Sequence, residues 1–93
     1  MRRARKKAGE TDRTRPKVTM RGVGAVLGLH KATVYRRINN GDFSLEGVPF
    51  RVTTRGILYD LEGVFEVVFP SAEKETITMM MFAFMQNNRG LIK

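Results

Sequence analysis

The sequence contains no cysteine and a single histidine, His30. Without cysteine, the chain can form neither a disulfide framework nor a thiolate metal site. One histidine builds a metal centre only where several carboxylates gather around it, so we expect neither a metal nor a cofactor. Acidic residues are scarce as well, because nine Asp and Glu stand against 17 Lys and Arg. The partner of such a chain is expected to carry negative charge.

Long hydrophobic runs are also lacking. The longest unbroken apolar run covers residues 79–85, far shorter than the roughly 20 residues that span a bilayer. The basic residues near the start are followed by polar residues 9–12, where a secretory signal would carry its apolar stretch. We therefore expect a cytoplasmic protein, nucleoid-associated if its host is bacterial, with no membrane partner.

The sequence has little that matches a catalytic motif. The run GVGAVLG is not a dinucleotide-binding fingerprint, because its third glycine comes one residue late and no strand precedes it. The only candidate nucleophile near His30 is Thr33. Three carboxylates, Asp60, Glu62 and Glu66, are expected to form a solvated helix face. The sequence therefore predicts no enzymatic activity and no small-molecule ligand.

The positive charge is concentrated in the first part of the chain. Residues 1–17 carry eight Lys and Arg against two acidic residues, and residues 18–41 carry four against none. One-sided charge of this kind favours a polyanion, because phosphates are neutralised with release of their counterions. Double-stranded DNA is the partner we expect. A basic tail that only aids solubility is the alternative.

Residues 1–17 are predicted to form a disordered basic arm that ends at Pro16. The segment has almost no apolar side chains and no periodicity, so it cannot bury enough surface to offset its ordering entropy. Such an arm can fold along a phosphate backbone or lie in a minor groove; alternatively, it is an unstructured leader that function does not need. The arm residues expected to contact DNA are Arg2, Arg3, Arg5, Lys6 and Lys7.

Residues 18–41 predict two short helices. Apolar residues spaced three and four apart form one face of the first helix, for which Thr19 is a plausible N-cap. The second helix begins around Lys31 and buries Val34 and Ile38, which are four residues apart.

Glycines fix how these two helices meet. Gly24 lies at the expected crossing point of the two helices, where a side chain on the first helix would keep the second one away. Gly28 lies at the turn between them. Two short helices joined in this way form a helix-turn-helix, although an ordinary helical hairpin inside a core is the alternative. Arg21 of the first helix is also expected to contact DNA. The exposed face of the second helix suits a major groove, with Lys31, Thr33, Tyr35, Arg36, Arg37 and Asn39.

Residues 42–70 predict a hairpin followed by a helix. A strand over residues 48–54, a turn at Arg55 and Gly56, and a returning strand over residues 57–59 are typical of a wing. Arg51 and Arg55 would then contact the sugar-phosphate backbone; alternatively, the hairpin only closes the core and its arginines are solvated. Asp60 is expected to cap a helix over residues 61–68.

The stretch TMRGVGAVLGLHKATVYRRINNGDF resembles the MerR-like winged helix-turn-helix of the AlpA and phage excisionase regulators. The shared features are the glycine turn, the run Thr33-Val34-Tyr35-Arg36, an element with Gly41 and Phe43, and a closing helix that begins with Asp. The resemblance covers residues 18–69. It implies an α+β, mainly helical fold for residues 18–70: a small winged helix-turn-helix with a two-stranded wing.

Three residues depart from the family pattern. His30 replaces the usual Ser or Thr at the start of the recognition helix, so a looser start is expected. Gly24 replaces an Ala. Arg37 replaces a common apolar residue, which either extends the DNA-binding face or thins the core.

Residues 71–93, outside the resemblance, predict a C-terminal helix. Glu73 and Glu75 lie near its start, and the apolar run 79–85 makes it apolar around most of its circumference. A helix of this kind needs a cover on both sides, so self-association is expected, with a purely intramolecular core or a buried strand as alternatives. The residues expected to mediate self-association are Ile77, Met80, Met81 and Phe84.

Two classes of function follow from these patterns. The first is a sequence-specific DNA-binding protein of phage, plasmid or mobile-element origin, acting in transcription regulation or as an excisionase-type recombination directionality factor. The second is a DNA-packaging or replication accessory protein, similar to a small terminase subunit, whose main activity is oligomerisation. A nonspecific nucleic-acid chaperone that uses the basic arm is a third hypothesis.

Overall fold

The structure, a computed structural model, describes residues 15–93. The arm residues Arg2, Arg3, Arg5, Lys6 and Lys7 lie outside this range. The described chain has an α+β, mainly helical fold, as the sequence predicts. Its elements in chain order are β1 (Lys17–Val18), α1 (Met20–Leu27), α2 (Lys31–Asn39), β2 (Phe50–Thr53), β3 (Gly56–Asp60), α3 (Leu61–Val68) and α4 (Lys74–Asn87), followed by a short 3-10 helix (Arg89–Leu91).

The predicted hairpin is formed by β2 and β3, which pair with Phe50 opposite Tyr59 and Thr53 opposite Gly56. The two turn residues are therefore Thr54 and Arg55, one position earlier than the sequence suggested. Gly56 already belongs to β3, with a φ of 134° that favours glycine.

The sheet has a third strand that the sequence did not predict. Its order is β1-β3-β2, so β1 pairs with β3 rather than belonging to a disordered arm. Val18 lies opposite Tyr59 and is fully buried, while its other edge forms an isolated bridge with Ile92. Lys17 is buried too, and its Nζ donates to the carbonyl oxygen of Arg15 at 2.7 Å. The expected arm boundary at residue 17 is wrong, because burial of Val18 and long-range pairing order this segment.

The helix-turn-helix forms where it was predicted. Gly28 ends α1 in the left-handed conformation, with a φ of 75°. A Cβ on Gly24 would overlap the carbonyl oxygen of Leu29, so the turn backbone lies directly against this glycine. The Ala that the family pattern has at this position would not fit without a shift of the turn. Thr19 occupies the N-cap position of α1 without a side-chain hydrogen bond.

The start of α2 is capped by a histidine. Nδ1 of His30 accepts a hydrogen bond from the backbone N–H of Ala32 at 3.1 Å. This bond satisfies one of the N–H groups that a helix leaves unpaired at its start, as a Ser or Thr would do. The expectation of a looser start is therefore wrong.

The core lies between α1, α2, α3 and one face of α4. Asp60 caps α3 as predicted, because its Oδ2 accepts from the N–H of Gly63 at 3.1 Å. The buried apolar side chains come from all parts of the described chain: Val18, Met20, Val23, Val34, Val48, Leu61, Val64, Phe65 and Ile77.

The C-terminal helix turns its predicted self-association residues inward. Ile77 is only 2% exposed, and Phe84 packs edge-on against Phe65 with ring centroids 5.8 Å apart. Met80 and Met81 are partly buried against the same core. These four residues were assigned to the wrong face, and residues 71–93 share the core of the preceding domain. The exposed apolar side chains of α4 are instead Met79 and Phe82, at 67% and 61% exposure.

Candidate nucleic-acid interface

The exposed face of α2 carries cations and no acidic residue. Val34 is fully buried and Ile38 packs against the core, which fixes the orientation of the helix. On the opposite side Arg36 and Asn39 are exposed to solvent. Helical geometry points these two side chains directly away from the core, toward any partner that α2 meets.

Lys31 lies in the first turn of α2, where its positive charge does not stabilise the helix. The N-terminal end of a helix carries partial positive charge, so a cation there is unfavourable by a few tenths of a kcal/mol. In contrast, α3 has Glu62 in its first turn, where the dipole favours an acid. Lys31 and the partial positive charge at the start of α2 together make a positive end that suits an anion.

A concave surface of about 530 Å³ joins α2 to the hairpin and to the start of α1. Cations from three elements reach it: Arg21 from α1, Lys31 from α2 and Arg55 from the β2–β3 turn. No acidic side chain is among the residues that line it, which are Thr19, Met20, Arg21, Lys31, Tyr35, Arg55, Gly56, Ile57 and Tyr59. We call this surface the basic cleft.

Two tyrosines line the basic cleft. Tyr35 comes from α2 and is 51% exposed, whereas Tyr59 comes from β3 and is half-buried. Burial raises the pKa of the Tyr59 phenol above its ordinary value, and the neighbouring Tyr35 raises it further. The Tyr59 phenol therefore presents a neutral hydroxyl group, which can donate to a phosphate oxygen.

A second hollow, of about 540 Å³, lies on the other side of two of these cations. Arg21 and Lys31 line it together with His30 and Leu91, among others. Since Arg21 and Lys31 border both hollows, they form a positive ridge between them. The ridge is where a phosphate backbone passing along the helix-turn-helix would meet two cations at once.

The structure does not bring every predicted residue to the basic cleft. Arg51 pairs with Leu58, and strand alternation places it on the sheet face opposite to the one carrying Ile57 and Tyr59. Arg37 and Thr33 lie on the flank of α2 away from Lys31, because residues four apart share a face. These three predicted DNA-binding residues therefore lie away from the basic cleft.

Five residues that line the basic cleft were not predicted as site residues: Thr19, Met20, Gly56, Ile57 and Tyr59. Ile57 and Tyr59 are two residues apart in the predicted strand, so their side chains could have been placed on the same face of the sheet. No sequence pattern indicates that Thr19 and Met20 line the cleft. They do so because β1 pairs with β3, which places the start of α1 beside the hairpin.

A separate charged cluster lies at the opposite end of β3 from Arg55. Arg15 forms ion pairs with Asp60 and Glu62 at 2.7 and 2.6 Å. Hydrogen bonding to Asp60 raises the pKa of the Arg15 guanidinium, which is charged at any physiological pH. This cluster links the segment just before β1 to the start of α3, and none of its residues lines the basic cleft.

Within residues 15–93, no helix combines the length and hydropathy of a membrane span, and no three His, Asp or Glu side chains gather as metal ligands. No protein-family model, curated protein or solved structure matches the chain. The resemblance to the AlpA and excisionase regulators therefore stays a prediction, based on the motif residues of α1, α2 and the hairpin.

Proposed function

We propose that this protein binds double-stranded DNA sequence-specifically, with α2 in the major groove and the β2–β3 turn against the adjacent backbone. One observation carries the proposal: Arg21, Lys31 and Arg55 converge from three elements on one cleft that no acidic side chain lines. A fold without an anionic partner gains nothing from gathering these charges, since like charges repel.

The residues divide into two roles. Arg36 and Asn39 point outward from α2, where they can read guanine and adenine edges through paired hydrogen bonds. Arg21, Lys31 and Arg55 border the helix and are placed to neutralise phosphates, which fixes the position of the protein on the duplex. Sequence discrimination is thus expected from α2 and most of the affinity from the basic cleft.

The biological role follows from the resemblance. Regulators of the AlpA and excisionase type act on phage, plasmid or mobile-element DNA, either in transcription or in choosing the direction of recombination. Both roles need a cytoplasmic protein that binds short DNA sites without catalysing a reaction. We propose a role of this kind, and a non-enzymatic one, for this chain.

The decisive experiment is selection of bound sequences from a random pool of duplexes, using the full chain. We expect enrichment of one short motif, with single-base changes costing about 1–3 kcal/mol in binding free energy. Arg36→Ala should then lose most of this discrimination while keeping the helical circular dichroism of the wild type. Lys74→Ala is the matched control, since it removes one exposed charge from α4, outside the cleft.

Three results would contradict the proposal. Equal affinity for unrelated duplexes would indicate a nonspecific nucleic-acid chaperone. Failure to bind any duplex at low salt, where phosphate contacts are strongest, would leave assembly as the main activity. An equal loss in Arg36→Ala and Lys74→Ala would show that α2 contributes only net charge.

A further inference from the structure

The face of α4 that points away from the core carries a regular stripe. Glu75, Met79, Phe82 and Gln86 are spaced four, three and four residues apart, which places them on one side of the helix. Met79 and Phe82 are two of the most exposed large apolar side chains in the described chain. We call these four residues the α4 stripe. Its spacing matches the seam along which two helices pack in a coiled coil.

Beside the stripe lies an apolar hollow of about 320 Å³. It is lined by Phe82, Met85, Gln86, Arg89 and Ile92. The exposed Met79 projects one helical turn before this hollow. The same face therefore carries both a projecting thioether side chain and a space that such a flexible side chain can fill.

Opposite charges mark the two ends of the stripe. Glu75 lies in the first turn of α4, and Arg89 follows its last turn. Within residues 15–93, neither Glu75 nor Arg89 has an ion-pair partner. The helix between Glu75 and Asn87 alone is about 18 Å long, about twice the Debye length at physiological salt, so the two charges do not neutralise each other.

We propose that the α4 stripe binds the same stripe of a second copy of this chain, with the two helices antiparallel. The two-fold axis passes near Phe82. Glu75 then faces the partner's Arg89, and Met79 enters the hollow formed by the partner's Phe82 and Met85. A parallel arrangement would put like charges side by side at both ends, which is destabilising.

A second copy fits this surface better than an unrelated partner because the surface is complementary to itself. A two-fold interface uses every contact twice, so a projection and a hollow on one face satisfy each other in both directions. One helix per copy makes a small interface, and we expect a dissociation constant in roughly the micromolar range. The pairing is independent of the proposed DNA binding, because the stripe shares no residue with the basic cleft.

The first test is sedimentation of the full chain without DNA over a concentration series. We expect a monomer–dimer equilibrium, and we expect Met79→Glu to raise the dissociation constant at least about tenfold. Val52→Glu is the matched control: Val52 is 69% exposed, as Met79 is at 67%, but lies on the hairpin. This control should dimerise as the wild type does.

The second test reverses charges at exposed positions, where the fold is not at risk. Glu75→Arg and Arg89→Glu should each weaken the dimer, because each places like charges together twice. The double variant should restore it, since the pairing is recreated with opposite sign.

Three outcomes would overturn the proposal. The first is a wild-type protein that stays monomeric at about 1 mM, which would indicate that something other than a second copy covers the stripe. The second is a dimer that Met79→Glu and Val52→Glu affect equally. The third is a double charge reversal that fails to recover what the single reversals lose.

Discussion

The guanidinium of Arg15 forms a two-point hydrogen bond with the carboxylate of Asp60: Nε donates to Oδ1 at 2.7 Å and Nη2 donates to Oδ2 at 3.0 Å. The same carboxylate caps α3 through the N–H of Gly63. Asp60 is 1% exposed, and a buried charge is tolerated only when it is paired in this way. One side chain thus joins the strand that precedes the helix-turn-helix to the helix that follows the hairpin.

Replacing Asp60 should therefore be costly. Asp60→Ala removes both the helix cap and the partner of Arg15, and we expect the free energy of unfolding to fall by about 2–3 kcal/mol. The loss is moderate because the Arg15 side chain is 44% exposed and stays partly solvated. Asp60→Asn keeps a capping oxygen and should lose less. Urea denaturation measures both, with the exposed Asp42→Ala as the control; equal stability of Asp60→Ala and Asp42→Ala would refute the linking role of Asp60.

Gly24 should not tolerate a methyl group. The Cβ of Gly24→Ala would overlap the carbonyl oxygen of Leu29, which is backbone and cannot rotate away. We expect destabilisation by about 1–3 kcal/mol from overpacking, despite the better helix propensity of alanine. Gly90→Ala is the control, because nothing lies within 4 Å of its Cβ position. If thermal denaturation shows both variants to be equally stable, the turn does not lie as close to α1 as described.

The two hairpin arginines should differ in their effect on DNA binding. Arg55 lines the basic cleft, whereas Arg51 lies on the opposite face of the sheet. Arg55→Ala should weaken binding to all duplexes and lower the slope of log K against log salt by about 1. Arg51→Ala should leave that slope nearly unchanged. Salt titrations of fluorescence anisotropy give both slopes, and a larger loss for Arg51→Ala would contradict the proposed contact between the hairpin turn and DNA.

The titration of Tyr59 reports the geometry of the basic cleft. Burial and the neighbouring Tyr35 raise its pKa above the ordinary 10.0. In Tyr35→Phe the remaining phenolate transition, followed by ultraviolet absorbance, should move down but stay above the ordinary value, because burial is the larger cause. The folded state holds this proton more tightly than the unfolded chain, so the free energy of unfolding should be steady below pH 10 and fall as pH rises further. A transition that Tyr35→Phe leaves unmoved would mean that the rings are not neighbours.

Much of this fold could be predicted from local patterns. The positions of α1 and α2 follow from apolar spacing with glycine at the turn, and α3 follows from Asp60 at its cap. These signals are short-range, because each depends on residues within one or two helical turns. The residues of the basic cleft that lie on α2 were predicted for the same reason.

Long-range contacts could not be predicted in this way. The strand β1 has only two residues, Lys17 and Val18, and it is held in place by pairing with residues 59, 60 and 92, which are far away in the sequence. The inward face of α4 was also missed: seven consecutive apolar residues give no contrast between sides, so only packing decides that Phe84 faces in and Phe82 faces out. The α4 stripe therefore emerged from the structure alone.

The position of β1 has a consequence for folding. Val18 bridges Ile92 on one edge and pairs with Tyr59 on the other, and the N–H of Lys93 donates to the carbonyl of Lys17 at 2.8 Å. This strand cannot form until segments far apart in the chain have met, so closing it is expected to be among the slower steps of folding. Once closed, it ties α1, α2 and α4 together, and we expect them to unfold as a single cooperative unit. A fragment that lacked either tie would expose the edge of β3 or of β1, and exposed strand edges are sites of aggregation.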